Sequence, residues 1–134
     1  MNKEEFLIAV SNLGLNLTMQ QQKALETYQS FLEEYNKTTN LTTIVNELEV
    51  YLKHFYDSLT IIKEIDLTKV DTLLDIGTGA GFPGMVLKIC YPNLNVTLLD
   101  SNNKKITFLD NLKNKLNLDV TLVHSRAEEF INDN

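Results

Sequence analysis

Apolar residues recur at helical spacing through roughly the first half of the chain, and then the period changes. Phe6, Leu7, Val10 and Leu13 fall on one face, which predicts a first helix ended by Gly14. Thr18 with Gln21 spells a capping box for a second helix, with Leu25, Tyr28, Leu32 and Tyr35 as its inner stripe. Residues 36–43 are rich in Asn and Thr and read as a loop. Asn46 with Glu49 offers another capping box, and Leu48, Tyr51, Leu52 and Phe55 continue the helical period. Asp57-Ser58 is placed to cap a further short helix through Ile65. The aromatic residues on these stripes read as core rather than as a base-stacking platform.

Beyond Asp66-Leu67-Thr68 the pattern alternates between strands and helices. Strands are predicted over 70–76, 95–99 and 120–123. A helix over 84–90 turns Val86, Leu87 and Ile89 inwards, and Tyr91-Pro92-Asn93 breaks it. A helix over 104–116 carries Ile106, Leu109, Leu112 and Leu116 on one stripe, and another begins over 127–131. Strand-helix-strand-helix-strand implies a parallel sheet with right-handed crossovers. The expected fold is therefore α/β: a helical N-terminal region, 1–66, then the N-terminal half of a Rossmann-like domain, 67–134. Three strands are half of a doubly wound sheet, so the chain reads as an incomplete version of a larger fold.

The first strand-to-helix join carries the candidate chemistry. Leu73-Leu74-Asp75-Ile76-Gly77-Thr78-Gly79-Ala80-Gly81-Phe82-Pro83-Gly84 reads as a buried strand, a glycine-rich turn and a helix start. Glycines let a ligand approach the backbone closely. Leu98-Leu99-Asp100-Ser101 ends the next strand with a carboxylate suited to the two hydroxyls of a ribose. Together they describe a nucleoside-cofactor site. Gly79 to Gly84 matches the dinucleotide pattern G-x-G-x-x-G, a weak signal alone. Two details favour S-adenosylmethionine over a nicotinamide. A carboxylate at Asp75 suits the ammonium of a methionine moiety and would repel a pyrophosphate. Pro83 removes an amide that a diphosphate would use. A nicotinamide-dependent oxidoreductase and a non-catalytic fragment acting by association are the alternatives.

Composition adds limits rather than a direction. The 134 residues are 43% hydrophobic and 22% charged, ordinary for a soluble globular protein. No apolar run approaches a membrane span and no signal-peptide core follows the N-terminus, so a cytoplasmic location is expected. The single cysteine, Cys90, excludes an internal disulfide and a cysteine-based zinc site, and its place in a core-facing helix gives it a packing role. Net charge is −6, with −5 in residues 1–66 and −1 in residues 67–134, so the bulk field does not steer RNA to the chain. Lys104, Lys105, Lys113 and Lys115 form either a local basic patch or the solvated face of one helix.

Four stretches carry a family resemblance. They are Tyr35-Asn36-Lys37 with Asn40-Leu41-Thr42; Lys53-His54-Phe55-Tyr56-Asp57-Ser58-Leu59; the loop from Asp75 to Gly84; and Leu98-Leu99-Asp100-Ser101 with Lys104-Lys105 and Ser125-Arg126-Ala127-Glu128-Glu129. The chain resembles, in order and almost throughout, the bacterial small-subunit rRNA guanine-N7 methyltransferases, the glucose-inhibited division protein B family. The resemblance implies a Rossmann-like methyltransferase domain and methyl transfer from S-adenosylmethionine to a guanine of small-subunit rRNA. It implies cofactor contacts at Gly77 and Phe82, ribose contact at Asp100, and adenine contacts at Ala127 and Glu128. Asp75, Gly79 and Ser101 complete the expected cofactor set, and His54, Asp57, Lys104 and Lys105 are the candidates for RNA. His54 is equally read as a structural residue, and His124 as a surface one. The expected partner is small-subunit rRNA or the small ribosomal subunit, with no membrane. The family's extended protein is expected to be a monomer, and this chain to self-associate through its exposed sheet edge. Ring nitrogen 7 of guanine has a free lone pair and no proton, so the reaction needs no general base. No catalytic side chain and no metal ligand are expected.

Overall fold

The computed structural model describes residues 1–133. Helix α1 (Lys3–Asn12) starts at a capping box in which the Asn2 side chain accepts from the Glu5 amide and Glu5 returns the bond. Helix α2 (Met19–Asn36) starts at the Thr18–Gln21 box, as its sequence predicts. It buries Leu25, Tyr28, Gln29 and Leu32. Strands β1 (Thr72–Ile76), β2 (Asn95–Asp100) and β3 (Thr121–His124) form a parallel sheet in the order β1-β2-β3. Leu74 pairs with Thr97, Asp75 with Leu98, and Asp100 with His124.

The crossovers are α5 (Gly84–Cys90) and α6 (Asn103–Leu116), and α7 (Ala127–Asp133) follows β3. Every residue of α5 is buried, because α2 and residues 57–59 pack against it together with the sheet. Cys90 lies there, and burial pushes its thiol up to about 12, which fits the packing role. Helix α6 buries Phe108 with Leu109 and Leu112, while Ile106 and Leu116 sit at the margin of the stripe. Asn117 ends it in the left-handed conformation. Leu74 and Ile76 of β1 are exposed on the face opposite α5 and α6. The core is one cluster that runs from Phe6 of α1 through Tyr28 and Phe55 to Val86, Leu98 and Val120. The helical region and the sheet therefore share a core.

The segment after residue 46 departs from the expected pair of helices. Helix α3 (Glu47–Glu49) passes directly into a π-helix (Val50–Tyr56), then α4 (Asp57–Leu59) and a 3₁₀ turn (Thr60–Lys63). Asn46 does accept from the Glu49 amide, but Glu49 bonds back to the Asn46 side-chain amide rather than to its backbone. Asp57 and Ser58 cap nothing, because Tyr56 and Asp57 are already helical and no break precedes them. The Ser58 hydroxyl instead donates to the His54 carbonyl. The wider π turn also moves the inner stripe. Val50, Tyr51, Phe55 and Leu59 are buried, and Leu48 and Leu52 are exposed.

Candidate cofactor site

Strand β1 delivers Asp75 and β2 delivers Asp100 to the same end of the sheet, and residues 77–83 run between them. The loop begins on β2. The Gly77 and Thr78 amides both donate to the Leu99 carbonyl, at 2.8 and 3.1 Å. The Gly79 amide then donates to Asp100 Oδ2 at 2.9 Å, while the Asn102 amide donates to Asp100 Oδ1 at 2.8 Å. Asp100 is buried at the mouth of the site, and each of its oxygens already holds one backbone amide. A carboxylate oxygen accepts twice, so both retain a lone pair for a hydroxyl.

Asp75 faces the loop itself. Its Oδ2 accepts from the Thr78 hydroxyl at 2.7 Å and from the Gly84 amide at 2.9 Å. Burial raises its pKa, the Thr78 hydroxyl and Gly84 amide oppose that, and the Asp100 charge adds to the rise. The first amide of α5 is thereby consumed by a carboxylate, and Pro83 before it has none. A diphosphate at this helix start would meet a negative charge and no free leading donor.

Further along, the loop is gripped by the helical region. The Tyr28 hydroxyl donates to the Ala80 carbonyl at 2.5 Å. Burial, with a smaller effect of Asp75, holds the Tyr28 pKa well above the usual phenol value, so it stays a donor. Gly81 adopts φ +105°, and a Cβ there would strike Tyr28 Oη and come within 2.9 Å of Met85 Cβ. Phe82 stacks on Tyr28 at 5.4 Å between ring centroids and on His54 at 4.1 Å, and its bond to Pro83 is cis. The sequence assigned Tyr28 only to a helical stripe. No local signal showed that its hydroxyl would hold the loop.

The expected residues divide between two clefts. One, of about 500 Å³, is lined by Gly77, Asp100, Ser101, Ala127 and Glu128, together with Ile76, Leu99, Ser125 and Arg126. Arg126 was absent from the expected contact residues, although it lies inside a stretch that carries the resemblance. The other, of about 510 Å³, is lined by His54, Asp57, Phe82 and Pro83 with Lys53 and Lys63. Lys104 and Lys105 begin α6 and line neither cleft. Asp75 and Gly79 also line neither, Asp75 being turned to Thr78 and Gly84 and Gly79 being bonded to Asp100. His124 Nε2 lies 3.0 Å from the Ser101 carbonyl, at the edge of the first cleft. His54 is half-buried with its Nε2 sealed from solvent. Burial lowers its pKa against the opposing pull of Asp57 and the Ile44 backbone, which favours the neutral ring.

The site fits a cationic nucleoside cofactor. A Cβ on Gly77 or Gly79 would enter open space, so the loop leaves room against its backbone where a side chain would intrude. Two carboxylates, Asp75 and Asp100, lie at the same end of adjacent strands beside that space. No helix among the described residues is long and apolar enough to cross a membrane.

Comparison with known proteins agrees with the geometry. Residues 21–134 match the family model described as rRNA small subunit methyltransferase G. The chain is 50% identical over 131 residues to the ribosomal RNA small subunit methyltransferase G of Bacillus velezensis, covering 97% of this chain and 55% of that protein. The proteins of the same name from Listeria monocytogenes and Bacillus subtilis are 49% and 47% identical, with the same coverage. The chain thus spans about half the length of the curated relatives it matches. With a parallel sheet, a glycine loop between two strand-end carboxylates and a match over most of its length, this chain belongs to the rRNA small subunit methyltransferase G family.

Proposed function

We propose that the cleft between Gly77, Asp100 and residues 125–128 binds S-adenosylmethionine, and that the whole protein uses it to methylate nitrogen 7 of a guanine in small-subunit rRNA. The observation that carries this reading is the pairing of open glycines with two strand-end carboxylates, Asp75 and Asp100, in a family of rRNA methyltransferases. When bound, the cofactor supplies a methyl group on a positively charged sulfur, already activated for transfer.

The residues of this chain bind and orient. Asp100 accepts the ribose hydroxyls on the lone pairs that its two backbone amides leave free. Gly77 and Gly79 give the methionine moiety access to the backbone. Asp75, held by Thr78 and Gly84, places negative charge beneath a cationic ligand. Ala127, Glu128 and Ser101 border the adenine end. Phe82 shapes the far end of the loop through its ring stack. Nitrogen 7 of guanine has a free lone pair and no proton, so the residues of this chain would supply no general base. What the protein contributes is alignment and exclusion of water.

Residues 67–134 form the N-terminal part of the catalytic domain in this reading, and residues 1–66 a helical buttress. His54, Asp57, Lys104 and Lys105 remain the candidates for contact with RNA, either naked or within the small subunit. Cytoplasmic location follows from that substrate.

Calorimetric titration of this chain with S-adenosylhomocysteine and with NADH tests the cofactor. Binding of the first and not the second is expected, and preference for NADH refutes the reading. Transfer of labelled methyl to small subunits lacking the modification, by a protein extended to the relatives' length, tests the substrate. Incorporation confined to subunits with the target guanine is the expected result.

A further inference from the structure

The second half of the glycine loop is held by rings that belong to the helical region. Tyr28 bonds the Ala80 carbonyl, and Tyr28, His54 and Phe55 all surround Phe82. The stack with His54 is the closest, at 4.1 Å between centroids and 4° between planes. His54 lies in the π-helix, where it and its neighbour Phe55 both approach the same phenylalanine. Adjacent residues diverge around an α-helix, and the wider π turn lessens that divergence. The cost is visible in Leu52, which the helical period would bury and which stands exposed. The buried Nε2 of His54 makes no hydrogen bond, and the ring's polar link runs to the Ile44 backbone, so what this histidine offers Phe82 is its flat face.

We propose that His54 is a positioning residue for the cofactor loop, its ring clamping Phe82 so that Gly77 and Gly79 hold the conformation that admits the ligand. The loop is held by β2 through Leu99 and Asp100, by Asp75 through Thr78 and Gly84, by Tyr28 through Ala80, and at Phe82 by this ring stack. Loss of the His54 face loosens Phe82, which bonds back to the Thr78 carbonyl, and so passes slack to the glycines. What the clamp needs at position 54 is a planar face, so phenylalanine replaces histidine and alanine does not. The proposal rests on the cofactor reading above and assigns His54 to the cofactor side of the site rather than to RNA.

The test uses this chain with S-adenosylhomocysteine in a calorimeter, well below the melting temperature of each variant. His54→Ala is expected to weaken binding at least fivefold, and His54→Phe to stay within twofold of the parent. Phe82→Leu should match the loss of His54→Ala, and the double variant should lose no more than either alone. Rescue by phenylalanine and this non-additivity separate positioning from general destabilisation. Unchanged affinity in His54→Ala overturns the proposal, as does equal loss in His54→Ala and His54→Phe, or additive losses in the double variant. Hydrogen exchange at the amides of residues 77–84, without ligand, gives an independent reading. Faster exchange there in His54→Ala, with the β1–β2 amides unchanged, supports the clamp; identical exchange in parent and His54→Ala overturns it. A parent chain that binds no S-adenosylhomocysteine refutes the cofactor reading, and the exchange pattern then decides the clamp alone.

Discussion

The two halves of the glycine loop use the same residue for opposite ends. Gly77 and Gly79 look into open space, and nothing lies within 4 Å of where their side chains would begin. Gly81 and Gly84 are sealed: a Cβ on Gly81 strikes Tyr28 Oη, and one on Gly84 strikes Leu98 Cδ2 and sits 2.9 Å from Asp75 Oδ2. In the first half, a missing side chain leaves room for a ligand. In the second, it lets α5 press onto the sheet and the helical region press onto the loop. A glycine-rich motif is thus two devices in series, a cradle and a joint, and substitutions should sort by which one they damage.

The largest effect is expected at the joint. Gly84→Val forces a branched side chain between Leu98 and Asp75, and overpacking of that kind costs about 3 kcal/mol. A fall in the urea midpoint, with cofactor affinity lost only as the fold is lost, is the expected signature. A stable Gly84→Val protein would show that the joint is looser than its contacts imply.

Asp100 belongs to both halves of the argument, since it anchors the Gly79 amide and faces the cleft. Asp100→Ala strands two backbone amides, for a loss of about 2 kcal/mol of stability. It should also weaken S-adenosylhomocysteine binding at least tenfold, about 1.4 kcal/mol. A 2′-deoxyribose analogue should bind the parent more weakly and lose little further in the variant. Simple addition of the two losses would show that Asp100 does not touch the ribose.

At the cradle, Gly77→Val should separate binding from folding. The residue sits at φ +71°, so a side chain costs about 1–2 kcal/mol through backbone conformation, with no clash to add. Circular dichroism should remain native while S-adenosylhomocysteine binding is abolished. Retained affinity would mean that the open space beside Gly77 is not where the ligand lies.

The smallest effect concerns Asp75. Its folded pKa is raised, chiefly by burial, above the ordinary aspartate value. A raised pKa means that the folded state holds the proton more tightly than the unfolded chain. The stabilisation is full below the unfolded pKa and is lost as pH rises through the folded one. Asp75→Asn keeps an oxygen for Thr78 and Gly84 but cannot ionise. Its stability relative to the parent should therefore rise as pH climbs out of the acid range and then level off. S-adenosylhomocysteine should bind it more weakly than the parent at neutral pH, because the negative charge under the ligand is gone. Parallel pH profiles for the two proteins would show that Asp75 ionises without penalty.

Much of this site was legible in the order of residues. The period of 3.6 over α2 is a local property of the chain, and local backbone geometry imposes it. Leu73 to Ile76 read correctly as a strand but not as a buried one, since Leu74 and Ile76 stand exposed on the face opposite α5 and α6. The glycines, Asp75 and Asp100 follow from the same spacing, because a strand end, a tight turn and a helix start must occur in that order. Asp100, Gly77, Ser101, Ala127 and Glu128 do meet in one cleft, as a parallel sheet of this order brings its strand ends together. Tertiary packing decided the rest. Periodicity gives an average burial for a face and not the identity of its neighbour, so it could place Tyr28 inside without finding Ala80. It assumes 3.6 residues per turn, so it put Leu52 inwards where a π turn leaves it exposed, and it put Leu48 inwards where α3 leaves it exposed. It left His54 open between an RNA contact and a structural ring, and only the packing of the helical region on the loop showed that ring against Phe82. Contacts between distant segments depend on how whole elements dock, and that information is held by the assembled core rather than by any window of the sequence.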